Sequence, residues 1–175
     1  MPETNFIFEN RPNDIASTEL EVEGALPASL RGRFLFNGPG RSQVNGQKLH
    51  LFDAHGRVVS ARIDGGHVSL TGRHVQTPLL ETELETHAVA KRRLFANKPS
   101  RWSNLFDLDL GNNCMHNVYT FAGRVVAAQD PGHFILNPDT LAVTDELALG
   151  GLMKKGMSAT PMARVDPATN RLVLW

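Results

Sequence analysis

The feature that most constrains this chain is how little room it leaves between its apolar runs. From Leu26 onward, β-type runs recur at Arg33–Asn37, Lys48–Asp53, Arg57–Ile63, His67–Val75, Met115–Phe121, Arg124–Ala128, His133–Asn137 and Arg171–Trp175. Several are joined by only two or three residues, as at Ala54-His55-Gly56, Asp64-Gly65-Gly66 and Ala122-Gly123. A parallel crossover needs a dozen or more residues, so these neighbours must pair antiparallel. The expectation is an all-β meander spanning residues 20–175. The polar, weakly periodic residues 1–19 are expected to form an extended N-terminal arm.

One stretch breaks the rhythm. Leu80, Leu84, His87, Ala88, Lys91 and Leu94 fall near one helical face, with glutamates 81, 83 and 85 early and Lys91, Arg92 and Arg93 late. That order suits the helix dipole and predicts one short helix near 79–95. Asn97–Asn113 is less regular, and Leu105–Leu110 reads as a short strand or a loop. No exact repeat is present, but the strand–turn rhythm is a weak repeat of the propeller type.

Charge and length exclude several classes. Eighteen basic residues balance eighteen acidic ones, with a sequence pI of about 7.1, so nothing argues for nucleic acid as a partner. Cys114 stands alone, which rules out an internal disulfide and suggests a reducing compartment. The opening residues Met1 to Phe6 lack the basic and apolar regions of a secretory signal. No apolar run approaches the ~18 residues of a membrane span. The expected location is cytoplasmic, with peripheral membrane contact left open.

Three near-motifs reduce to ordinary structure. Gly151 to Ser158 has the glycine spacing of a phosphate loop, but Met157 stands where the lysine must be. Gly38-Pro39-Gly40-Arg41-Ser42 opens no helix and reads as a turn. Cys114 sits in no nucleophile elbow and reads as a small core residue. Of the seven histidines, His50 and His55 lie five apart and His67 and His74 seven apart, odd separations that put strand side chains on opposite faces. No pair has the spacing of a compact metal site, so all seven read as surface or hydrogen-bonded structural residues.

A series of short segments, in order, carries a family resemblance. Leu20–Phe34, Phe36-Asn37-Gly38-Pro39, His50–Gly56, Asn117-Val118 with Ala122-Gly123-Arg124, Asn137–Leu141 and Asp166–Thr169 each resemble a motif of the carotenoid cleavage oxygenases. One departure is Phe36, which takes the place of an arginine. The resemblance implies a seven-bladed β-propeller with Fe(II) on its axis, held by four histidines that outer carboxylates orient. It implies an apolar polyene as substrate, cleaved at one C=C bond with O₂.

Carried over residue by residue, the resemblance puts Thr160 at the first iron-histidine position and Asp130 at an outer-carboxylate position. A neutral hydroxyl is a poor Fe(II) ligand beside imidazole. The family's other three histidines would fall beyond Trp175. No residue of this chain is therefore expected to be catalytic, cofactor-binding or metal-ligating, and Fe(II) is expected for the intact family rather than for this chain alone. At roughly 40–50 residues per blade, the chain holds about three to four blades' worth of a partial propeller. The expected function is that of an N-terminal fragment, inactive alone, which a complementary C-terminal chain could complete. The alternative is a non-catalytic β-module that binds an apolar ligand or a partner protein. A self-contained sandwich whose turns mimic the family is a third reading.

Overall fold

Left-handed turn residues set the strand register. The computed structural model describes residues 10–95, 111–130, 132–152 and 160–174. In it Gly65-Gly66 and Ala122-Gly123 both take positive φ and close two-residue hairpins whose twist matches that of the flanking strands. Asn45-Gly46 does the same in a small ladder.

The first sheet contains β1 (Ile15–Leu20), β2 (Arg31–Arg41), β5 (His55–Asp64) and β6 (His67–His74), in the order β1-β6-β5-β2. Between β2 and β5 lies the small ladder of β3 (Gln43–Val44) and β4 (Gln47–Lys48). The second sheet contains β7 (Asn117–Phe121), β8 (Arg124–Gln129), β9 (Gly132–Leu136) and β10 (Val143–Glu146), in the order β10-β9-β8-β7. A two-stranded hairpin, β11 (Arg164–Asp166) with β12 (Arg171–Val173), follows as a separate sheet. Every pairing is antiparallel. The described residues thus form an open stack of meandering sheets, which is a partial propeller. Part of the expected arm is strand: β1 adds to the outside of β6.

The core lies between the two sheets. Val58 and Val75 from the first meet Val125, Ala127, Phe134 and Leu136 from the second, with Cys114 fully buried among them. Burial pushes the Cys114 thiol well above its ordinary pKa, which makes it inert packing. The sheets are sewn together through the backbone before β7. Asn37 Nδ2 donates to the Cys114 and Asn117 carbonyls at 3.0 and 2.9 Å. Asn113 Nδ2 donates to the Phe52 and Ala54 carbonyls at 2.9 and 2.7 Å. Gly56 donates its N–H to the Asn113 carbonyl at 2.6 Å, and a Cβ at Gly56 would lie 1.8 Å from the Cys114 carbonyl oxygen. Only glycine fits there.

Two elements differ from expectation. The helix α1 runs Pro78–Thr86 and does not reach residue 95. Thr77 Oγ1 accepts the Leu80 N–H at 3.1 Å, Pro78 occupies the first turn, and His87 ends the helix in the left-handed region. Lys48–Asp53 is a strand only at its start, because Leu51–Asp53 form a 3₁₀ turn in which His50 Nδ1 accepts the Phe52 N–H. The alternatives for Leu105–Leu110, most of the Gly151–Ser158 loop and the end of the Arg171–Trp175 run lie outside the described residues.

Candidate functional site

The residues singled out by resemblance sit in turns. Thr160 is half-buried just ahead of β11, and its Oγ1 accepts the Met162 N–H at 3.2 Å. Asn117 Nδ2, at the start of β7, donates to the Pro161 carbonyl at 2.8 Å and fixes this turn to the second sheet. Asp130 is exposed in the turn between β8 and β9. The turns expected from Asn137–Leu141 and Asp166–Thr169 are both closed by their first side chain. Asn137 Oδ1 accepts from the Asp139 and Thr140 N–H groups, and the Asp166 carboxylate accepts from the Ala168 N–H and the Thr169 hydroxyl. The Thr169 hydroxyl and the Ala168 N–H hold the Asp166 carboxyl below its usual range.

Burial divides the histidines. His50, His67, His87 and His116 are exposed, whereas His55, His74 and His133 are buried. His74 Nδ1 lies 2.8 Å from Asp14 Oδ1, which also accepts the His74 N–H at 2.9 Å. His133 Nδ1 lies 3.0 Å from the Tyr119 hydroxyl, whose pKa burial pushes up to about 12. Among the described residues no three His, Cys, Asp or Glu side chains converge as a metal site. The described residues do not gather the donors of a four-histidine iron centre. Thr160 offers a neutral hydroxyl whose oxygen accepts a backbone N–H, a poor donor for Fe(II) beside imidazole.

Sequence reasoning missed the molecule's buried ionic cluster. His55 Nε2 lies 2.8 Å from Glu83 Oε2, and Arg93 Nη2 bonds the same oxygen. Arg93 Nη1 donates to the Asp53 carbonyl, and Glu83 Oε1 accepts the Ala90 N–H at 3.0 Å. A carboxylate only accepts, so His55 Nε2 carries the proton. Burial alone would raise the Glu83 pKa, but the His55 hydrogen bond, the Arg93 charge and the Ala90 N–H together hold it below the ordinary value. Burial draws the His55 pKa down, only partly countered by Glu83. The signal was Glu83 itself, a charge placed one turn beyond Leu79 and Leu80 on the apolar face of α1. The cluster is sealed from solvent and ties α1 to the start of β5, so it is structural rather than reactive.

A shallow notch of about 350 Å³ is lined by Arg31, Arg33, Arg62, Ile63, Asp64 and Asp139. Arg31 pairs with Asp64 and Arg33 with Asp139, both at 3.0 Å. Its charged lining suits no polyene. No helix among the described residues is long and apolar enough to cross a membrane.

The sequence and the fold match known proteins along nearly the whole of this chain. The model of the retinal pigment epithelial membrane protein family matches residues 8–175. The apocarotenoid-15,15'-oxygenase of Synechocystis is 29% identical over 167 residues, covering 93% of this chain and 34% of that protein. Isoeugenol monooxygenase of Pseudomonas putida is 27% identical over 161 residues, covering 90% and 32% respectively. Cobalt-substituted Synechocystis apocarotenoid oxygenase superposes with a TM-score of 0.84 at 28% identity, over 92% of this chain and 35% of that one. The chain thus spans about a third of the length of these relatives, corresponding to their N-terminal portion. This chain belongs to the retinal pigment epithelial membrane protein family, the family of the carotenoid cleavage oxygenases.

Proposed function

We propose that this chain supplies the N-terminal blades of a carotenoid-oxygenase-type propeller and does not catalyse oxidative cleavage by itself. The family reaction it would serve is Fe(II)-dependent addition of O₂ across one C=C bond of an apolar polyene. The complete assembly would need a complementary C-terminal part to provide the metal site. The observation that carries this reading is Thr160. By resemblance its hydroxyl takes the first iron-histidine position, and its Oγ1 accepts the Met162 N–H, so this chain would offer no imidazole there. By the same resemblance Asp130, one methylene shorter than a glutamate, takes the outer-carboxylate position. The single buried Cys114 supports a reducing, cytoplasmic setting.

The test is direct. The purified 175-residue chain is supplied anaerobically with Fe(II), then with O₂ and an apocarotenal, while bound iron and aldehyde products are measured. Bound iron well below one equivalent and no cleavage above the metal-only control are expected. Stoichiometric iron with sustained turnover would sink the reading. The second reading, a binding module without catalysis, draws support from one feature, the exposed Phe34 and Phe36 of β2.

A further inference from the structure

The first strand is held in place by little apolar contact. Of residues 11–20 only Ile15 is not exposed, and the pairing of β1 with β6 slips register between Ile15 and Thr18. What fixes this segment is polar and gathers at one end. Arg11 donates its N–H to the Gly40 carbonyl at 2.9 Å, and Arg41 Nη2 donates to the Pro12 carbonyl at 3.1 Å. Ser42 donates its N–H to Asn10 Oδ1 at 3.0 Å. Asp14 Oδ1 takes both the backbone N–H and the ring Nδ1 of His74, at 2.9 and 2.8 Å. Residues 10–14 thus cross the ends of β2 and β6 as a strap before β1 runs along the β6 edge.

His74 is an unusual anchor, because it is only 6% exposed. A carboxylate only accepts, so Nδ1 carries the ring proton and Nε2 is a bare lone pair. That Nε2 is buried and meets no donor. A Cβ at Gly40 would lie 2.8 Å from it, so glycine there leaves the ring its place. A second proton would have to sit on this nitrogen, as a buried cationic N–H without an acceptor. The surrounding charge opposes it. Arg41 of β2 and Arg57 of β5 act on the ring directly, and His55 of β5 feels its charge. Arg73 of β6 flanks Asp14 at 3.9 Å, and Arg11 of the strap acts on Arg57. Burial above all, with Arg57 and Arg41, holds the His74 pKa below 6.5 against the pull of Asp14.

We propose that residues 10–20 are an acid-released strap, which closes over a neutral His74 and opens when that ring takes a second proton, baring the edge of β6. The sign follows from the geometry. In the closed form a proton on Nε2 is buried among arginines with nothing to accept it. In the open form Nε2 meets water, which accepts its N–H. Acid therefore favours opening, and the effect sets in as pH falls below 6.5. One proton is taken up per opening, so the opening constant rises by up to about tenfold per pH unit. The strap's other histidine contact, His67 with Glu19 at 3.2 Å, is exposed on both sides, so solvent screens it. The bared β6 edge would present unpaired N–H and C=O groups, a template for a strand from elsewhere.

The experiment follows amide hydrogen exchange of the full 175-residue chain between about pH 7.5 and 5.5, with the intrinsic pH dependence of exchange divided out. At every pH β1 is expected to be less protected than β8 and β9, the mark of a separate opening. Across the range its protection should fall by at least about tenfold. His74→Asn keeps a donor for Asp14 but cannot titrate, and should hold β1 protection level. Three results overturn the proposal: level protection of β1 in the native chain, the same fall in His74→Asn, or β1 as slow as β8 and β9 throughout. Should His74→Asn not fold, the native chain decides by itself. The fall in β1 protection must begin near 6.5 and level off where the His74 ring titrates in its own resonances. A fall that tracks neither point overturns the strap.

Discussion

At the scale of single residues, Glu83 holds the most. One of its carboxylate oxygens meets both His55 and Arg93, and the other accepts the Ala90 N–H, so three segments meet at one side chain. Removing it leaves Arg93 as a buried charge without its partner, which typically costs about 3–5 kcal/mol. That is a large share of the ~5–15 kcal/mol of a whole domain. Glu83→Ala is therefore expected to lower the urea midpoint sharply at neutral pH, whereas Glu81→Ala, exposed on the same helix, should not. The cluster also sets the response to acid. His55 has its pKa lowered from 6.5 by burial, so the unfolded chain takes up the proton first. Its stabilisation is complete above 6.5 and is lost as pH falls below that value. Glu83 is held below 4.5, so its contribution is present above 4.5 and lost as pH falls through the folded value. Burial lowers the His74 pKa as well, against the pull of Asp14, and adds to the loss below 6.5. The thermal midpoint should therefore drop on acidification in two stages, and His55→Gln should shrink the first. A midpoint that holds level through the histidine range would contradict this account. The cluster was readable in part, since a glutamate on the apolar face of an amphipathic helix demands a buried cation. Which cation it was depended on a chain reversal after His87 that no local pattern encodes.

At the scale of elements, caps decide more than periodicity. The helix begins at Thr77 because its hydroxyl satisfies the Leu80 N–H in a fully buried position. Thr77→Ala should cost about 1 kcal/mol, read as a lowered urea midpoint with an unchanged slope; no change would mean that water replaces the hydroxyl. The helix stops after Thr86, where His87 adopts φ 53 and its N–H returns to the Glu83 carbonyl. The apolar stripe through Leu84 and Leu94 suggested a longer helix, yet both leucines are exposed. Hairpin strands were legible because Gly65-Gly66 and Ala122-Gly123 announce their turns. By contrast, β10 and β11 are short and polar and acquire strand geometry only from the neighbours they pair with. The positions given to Thr160 and Asp130 rest on resemblance alone. Nothing in the spacing of a threonine in a turn speaks of a metal.

At the scale of the whole molecule, the open stack raises the question of whether its sheets stand or fall together. The first and second sheets share one apolar core, and β1 pairs with β6 across more than forty intervening residues. Side-chain amides reinforce the junction, with Asn37 serving two carbonyls of the segment that leads into β7. By contrast, among the described residues the β11–β12 hairpin has two strands, and Met162 ahead of it and Val173 in β12 are exposed. A two-stranded unit is marginal in water and gains stability only from what it packs against. Hydrogen exchange of the native chain should therefore show one shared, slowest class for β5, β6, β8 and β9, with β11 and β12 exchanging through a separate, smaller opening. Asn37→Ala strands the buried Cys114 carbonyl and the part-buried Asn117 carbonyl, at about 1–3 kcal/mol for a buried group left unsatisfied. If the sheets are one cooperative unit, that loss must accelerate exchange in β5 and β8 alike, although the substitution lies on β2. Faster exchange confined to the first sheet would mean that each sheet folds on its own and that the shared core contributes little to cooperativity.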